Sequence, residues 1–306
     1  MQPSEIASFE RLIGKPRLQS YKSYFNAADM ETAATLYIWN SELSRCLGTL
    51  LAYFEIALRN NVHRALSMHY VGNVGPTAHW WDLIRSQLGG STMRWVEIVR
   101  MGRGVKTRIG APDADEIVAQ VSFGFWTNVL ARIDRNKAHV LMPSILPNHP
   151  INENVHDWRN DAKRKAALAF VRELNAFRNR LAHHEPLWKF GGIHDTSTNP
   201  PTLVLAASTD LVSSQQRFAR LLEQYDDAMA SLDRSLHADL FKSSWRTTLN
   251  FLLSDRGYKR YETRRHVVNT TPAHASVLHR RFFDVVRHNE PVRVKTRDAS
   301  GIFIPD

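Results

Sequence analysis

Arg178, Asn179, His183 and His184 fall within one short segment, FRNRLAHHEPLW, that runs from Phe177 to Trp188. A guanidinium, a carboxamide and an imidazole at this spacing suit the cleavage of a phosphodiester beside a 2′-hydroxyl. The imidazole moves protons and the guanidinium holds the charge that builds on phosphorus, so the reaction needs no metal ion. Pro186 cannot continue a helix, so the segment reads as the last turns of one.

Spacing alone carries little weight. Arg64 with His69, Arg132 with His139, Arg260 with His266 and Arg281 with His288 satisfy the same loose pattern. Only Arg178 is followed by Asn and leads to a His pair. Ala167, Phe170, Val171, Leu174, Phe177 and Leu181 recur at three- and four-residue spacing and predict a buried stripe. At about 100° per residue, Asn179 and His183 project from the polar side, and Arg178 sits at the edge of the stripe. A plain helix C-terminus is the competing explanation. Cations there gain only about 0.3–1 kcal/mol from the helix dipole, and that role requires neither Asn beside Arg nor two consecutive histidines.

Further blocks accompany this one: KPRLQSYKSYF (Lys15 to Phe25), LYIWNSELSRCL (Leu36 to Leu47), YFEIALRNNVHRAL (Tyr53 to Leu66) and VAQVSFGFWTNVL (Val118 to Leu130). With RNRLAHHEPLW, and in this order, they resemble the Abi-like (abortive infection) proteins of the HEPN superfamily, whose signature is Arg-Asn-x-x-x-His at the end of a core helix. The resemblance covers roughly residues 10 to 190. It implies an all-α, HEPN-type helical bundle and a homodimer in which two motifs face one cleft. It also implies that charged residues of the Tyr53–Leu66 block face the motif, making Glu55 an orienter of Arg178 or His183 and Arg59 a phosphate contact.

The residues of that block also permit a simpler account. Glu55 and Arg59 are four apart at the border of the stripe Leu47, Leu51, Leu58 and Val62, a favourable helical pair worth about 0.3–0.5 kcal/mol on a surface. His63, one turn on, stays ambiguous. Phe123, Phe125 and Trp126 could stack on bases, but they follow Ile117, Val118 and Val121 at helical spacing and read as core, with Gly124 permitting close helix approach.

Coarse periodicity predicts helices over residues 28–40, 41–69, 80–88, 91–101, 113–136, 157–183 and 210–238, a helical bundle. Residues 189–202 read as loop. From Asp255 the chain holds 11 basic and 6 acidic side chains, with Arg264–Arg265 and Arg280–Arg281 as pairs, and Val292 to Thr296 reads as a strand able to pair with a partner chain. The expected organisation is residues 1–190 as the helical core carrying the motif, 191–254 as a loop and amphipathic helix extending the bundle, and 255–306 as a basic C-terminal extension.

At 306 residues and 43% hydrophobic, the chain can bury a substantial core and is no disordered tail. A net charge of +10 points to a polyanionic partner, RNA and DNA alike. The single cysteine, Cys46, cannot form an intramolecular disulfide and falls on an apolar register as a packed hydrophobe. The N-terminal residues lack the apolar core of a signal peptide, and no run of about 20 apolar residues occurs, so a cytoplasmic protein without membrane contact is expected. No cofactor and no metal site is expected, because the histidines are scattered.

These readings converge on a metal-independent endoribonuclease, an antiviral or toxin-type effector. In it His183 is general base or acid, Arg178 stabilises the phosphorane, Asn179 positions the phosphate or imidazole, and His184 is the alternative proton carrier. The rival expectations are a non-catalytic RNA-binding module associated with a small RNA, and a protein-interaction partner.

Overall fold

The structure, a computed structural model, describes residues 3–102, 112–195, 200–263, 282–288, 292–295 and 300–303. The fold is all-α. Its helices in chain order are α1 (Pro3–Phe9), α2 (Lys15–Tyr24), α3 (Met30–Tyr70), α4 (Trp80–Leu83), α5 (Arg85–Arg100), α6 (Ala114–Gln120), α7 (Phe123–Ala131) and α8 (Arg135–Ile145). A 3₁₀ segment (Pro150–Arg159) leads to α9 (Asp161–Ala167) and α10 (Ala169–Ala182). After a hairpin of β1 (Ile193–Asp195) and β2 (Thr202–Leu205) come α11 (Leu211–Leu232), α12 (Arg234–Phe241), α13 (Ser244–Leu253) and α14 (Asp255–Glu262). A second antiparallel pair, β3 (Val292–Lys295) and β4 (Ser300–Phe303), follows.

Two compact units share the chain. One comprises residues 1–50, 180–223 and 239–306; the other comprises residues 51–179 and 224–238.

In the first unit the core is aromatic. Trp188 packs against Tyr21 and Phe25, with ring centroids 5.0 Å away in each case, and Phe25 and Tyr258 both contact Trp39. Polar bonds fix the register: Trp39 Nε1 donates to the Leu252 carbonyl at 2.9 Å and Thr35 Oγ1 to the Tyr261 carbonyl at 2.7 Å. Cys46 is fully buried, and burial pushes its thiol up to about 11, which suits an inert packing role.

In the second unit Phe54 packs against Phe123 and Phe170, and Trp80 against Phe125. Phe123, Phe125, Trp126, Trp80 and Trp81 are all fully buried, as helical spacing predicts for core residues. Gly124 is a correction. A Cβ there would meet only Ser122 Oγ, at 3.7 Å, so no close helix approach requires the glycine.

Element boundaries differ from the expected ones where polar side chains found hydrogen-bond partners. The expected break at residues 40–41 does not occur, and α3 is one helix of 41 residues. Ser41 and Ser44 satisfy their hydroxyls by donating to carbonyls four residues back, and Asn40 uses its side chain to accept from the Leu187 amide, so none of the three interrupts the helix. Conversely, the expected 113–136 helix is cut into α6, α7 and the start of α8. Val121 and Ser122 are extended, and Asp134 accepts from the Asn136 amide, capping a new start. Asn160, accepting from the amides of Ala162 and Lys163, likewise divides the expected 157–183 helix. Gly89 at φ 72 kinks α5.

Residues 189–202 contain β1 and so are not wholly loop. The expected C-terminal strand is present as β3, but its partner is β4 of the same chain, in register Val292 to Phe303. The pairs Arg264–Arg265 and Arg280–Arg281 lie outside the described residues. Among the described residues, no helix is long and apolar enough to cross a membrane.

Candidate functional site

Helix α10 buries Val171, Leu174 and Phe177, leaves Phe170 and Leu181 half-buried, and presents Asn179 to solvent. Arg178 sits at the margin of this stripe. The guanidinium lies beside a carboxylate of the same unit: Arg178 Nε is 3.4 Å from Glu55 Oε2, with the Arg side chain 38% exposed and the Glu 16%. That separation marks an ion pair rather than a tight hydrogen bond. Among the described residues Arg178 has no other polar partner, so its outer nitrogens remain available to an anion.

The helix ends in a Schellman turn, in the first unit, whose second segment begins at Arg180. The Glu185 amide donates to the Arg180 carbonyl and the His184 amide to the Leu181 carbonyl, each at 3.0 Å, and His184 takes φ 53. His183 is therefore the C-cap, one residue beyond Ala182, and His184 occupies the left-handed position that follows it. Both imidazoles are exposed. His184 thus has a backbone role that the residue pattern did not suggest; the enrichment of His, Asn and Asp at positive φ is the one available signal.

Arg180 is the clamp of the turn. Its guanidinium donates to the carbonyls of Pro186, Leu187 and Lys189 at 2.6, 3.1 and 3.0 Å, pairs with Glu185, and lies over the Phe190 ring. Burial, partly opposed by Glu185, lowers its pKa. The Leu187 amide donates to Asn40 Oδ1 at 2.8 Å, and Leu187 and Trp188 are buried, so the chain leaving the motif is anchored in the first unit's core.

Glu55 and Arg59 do not pair with each other. Arg59 Nη1 donates to the Ala119 carbonyl at 3.4 Å, while Arg59 Nε is buried without a hydrogen-bond partner among the described residues. His63 is buried: Trp80 Nε1 donates to its Nδ1 at 3.0 Å, which places the proton of the neutral ring on Nε2, 4.0 Å from Asp115 Oδ1. Burial lowers its pKa, with Asp115 opposing and His79 adding to the effect. This is a structural histidine, closed to solvent.

The second unit therefore brings Arg178, Asn179, Glu55 and Arg59 into one body, with Glu55 engaging Arg178, and the first unit carries His183 and His184. A guanidinium steadied by a carboxylate, with free donors facing solvent, can bind a phosphate oxygen; an exposed imidazole can exchange protons with bound substrate. No known family model, curated protein or solved structure matches this chain.

Proposed function

We propose that the protein is a metal-independent endoribonuclease of the HEPN type, acting in the cytoplasm in abortive infection or as a toxin. Arg178 holds the phosphate and the charge of the phosphorane, and Asn179 positions the phosphate. His183 moves the proton between the attacking 2′-hydroxyl and the leaving 5′-oxygen. The P–O5′ bond breaks as the O2′–P bond forms, leaving 2′,3′-cyclic phosphate and 5′-hydroxyl ends. Glu55 orients Arg178. RNA is the substrate, and the working form is a homodimer.

The observation that carries this reading is the Arg178 guanidinium, held by Glu55 through one edge, with Asn179 exposed beside it. Incubation with total RNA and a chelator, followed by sequencing of the cut ends, tests it. Cleavage with cyclic phosphate ends that disappears in His183→Ala and Arg178→Ala is the expected result. Binding without turnover would replace it by the RNA-binding module, and loss of both RNA binding and turnover by the interaction protein.

A further inference from the structure

A second cluster of chemistry-bearing side chains lies in the unit of residues 51–179, outside the motif. Trp158 of the 3₁₀ segment is fully buried and donates through Nε1 to Asn152 Oδ1 at 2.7 Å, and Asn152 in turn donates to the Leu146 carbonyl. This anchors the segment while leaving His156 and Arg159 exposed on either side in sequence. On α8, Ala138, Leu141 and Met142 are buried and His139 is half-exposed.

The His139 and His156 rings lie nearly parallel, 23° apart in tilt, with centroids separated by 5.5 Å. Arg159 lies against His139, with Nε 3.2 Å from Nδ1 and Nη2 3.0 Å from Nε2. A guanidinium only donates, and a neutral imidazole offers one acceptor nitrogen. At most one of the two contacts is thus a hydrogen bond, and neither survives protonation of the ring.

The nearest acid in sequence, Asp157, is already engaged by Lys163 Nζ at 2.6 Å and by Asn154 Nδ2 at 3.3 Å. The cluster therefore holds one permanent and two conditional cations, with no carboxylate partner among the described residues. Desolvation, then Arg159, then His156 lower the His139 pKa, with the Asn136 backbone opposing. A metal ion does not suit this arrangement. Arg159 covers both ring nitrogens of His139, and no group of three or more His, Cys, Asp or Glu able to hold a metal occurs among the described residues.

We propose that His139, His156 and Arg159 form a binding site for a phosphate-class anion, carried on a nucleic-acid strand or on a small phosphorylated molecule. The anion accepts from the Arg159 fork and from the N–H groups of both protonated imidazoles, replacing an arrangement in which Arg159 has one neutral acceptor. Its charge favours the protonated form of the rings, so binding takes up protons and strengthens as pH falls through the ordinary imidazole range. The site is independent of the role assigned to Arg178.

Sulfate is the first probe, because its charge is constant between about pH 6 and pH 8; an uncleavable 2′-O-methyl oligouridylate is the second. With the full chain, sulfate is expected to bind at least about tenfold tighter at pH 6 than at pH 8 and to raise the NMR-monitored pKa of His139. Arg159→Ala should abolish both effects and His139→Gln the gain in sulfate affinity at low pH, neither changing the circular dichroism, and Arg178→Ala should leave both effects intact. Loss of oligonucleotide affinity in Arg159→Ala identifies a nucleic-acid backbone as ligand; loss of sulfate binding alone identifies a small phosphorylated ligand. Absence of sulfate binding, binding that does not respond to pH, or wild-type binding in Arg159→Ala overturns the proposal.

Discussion

Glu55 Oε2 stands 3.4 Å from Arg178 Nε, the carboxylate largely sheltered and the guanidinium more than a third exposed. The carboxylate holds one edge of the guanidinium and leaves the other to solvent, the arrangement expected of a residue that is oriented from behind and binds in front. As a partly exposed pair it contributes at most about 1 kcal/mol to stability. Its removal should therefore separate function from folding.

Under the proposed activity, Arg178→Ala lowers the cleavage rate by about 10²–10⁴, and Glu55→Gln lowers it less, by about tenfold, because the guanidinium remains but is no longer held. Both variants should melt within a few degrees of the parent. Single-turnover cleavage and calorimetry measure the two quantities. Equal activity of Glu55→Gln and the parent would show that the pair does not orient Arg178.

His184 sits at φ 53 in the Schellman turn. The left-handed region costs a non-glycine residue about 1–2 kcal/mol, and glycine's extra freedom when unfolded offsets about 0.5–1 of it. His184→Gly should thus leave stability unchanged or raise it by up to about 1.5 kcal/mol, whereas β-branched His184→Val should destabilise. With His183 as the proton carrier, His184→Gly retains cleavage and His183→Ala does not. Loss of activity in a fully folded His184→Gly would transfer the role to His184.

The two glycines that invite opposite expectations are Gly124 and Gly257. A Cβ on Gly257 would run into the Phe251 carbonyl oxygen and come within 2.9 Å of Leu252 Cα, because α14 starts directly against the end of α13. The same carbonyl accepts from the amide and the hydroxyl of Ser254, the residue that caps α14. Gly257→Ala should cost about 1–3 kcal/mol as the backbone shifts. Gly124→Ala, whose Cβ would make only an ordinary contact with Ser122 Oγ, should be neutral or stabilising by up to about 1 kcal/mol. Thermal unfolding of the pair decides it, and equal effects would contradict the described packing.

His63 supplies a pH prediction. Burial lowers its folded pKa below the ordinary value of 6.5, so the unfolded chain takes up its proton at a higher pH than the folded one. The stabilising contribution of the neutral ring is present above about pH 6.5 and is lost as pH falls toward the lowered folded value. His149, also lowered by burial, adds a contribution of the same sign. Denaturant titrations between about pH 7.5 and 5 should show stability falling with acidity, less steeply in His63→Gln. An unchanged slope would mean that the ring does not titrate differently on folding.

Much of the fold was legible in the residue pattern because helical periodicity is local. Phe177, Leu174 and Val171 were placed on the buried face and Asn179 on the open face by spacing alone, and FGFW was assigned to the core on the same ground. Boundaries were less legible. Whether Asn40 or Asn160 continues or stops a helix depends on what its side chain bonds to. Asn40 finds Leu187, far away in sequence, while Asn160 finds its own next turn.

The partners of the charged residues were decided by the tertiary structure. Spacing made Glu55 and Arg59 an obvious pair, yet Glu55 meets Arg178 and Arg59 meets the Ala119 carbonyl. Arg180, to all appearance a surface cation, closes the turn after the motif by binding three carbonyls. The sequence by itself determined which residue types stand together at the end of α10 and which face they occupy, since 3.6 residues per turn suffices for that. Which carboxylate reaches which guanidinium, and which glycine admits no Cβ, came only from the tertiary structure, because both depend on chain segments brought together by packing rather than by spacing.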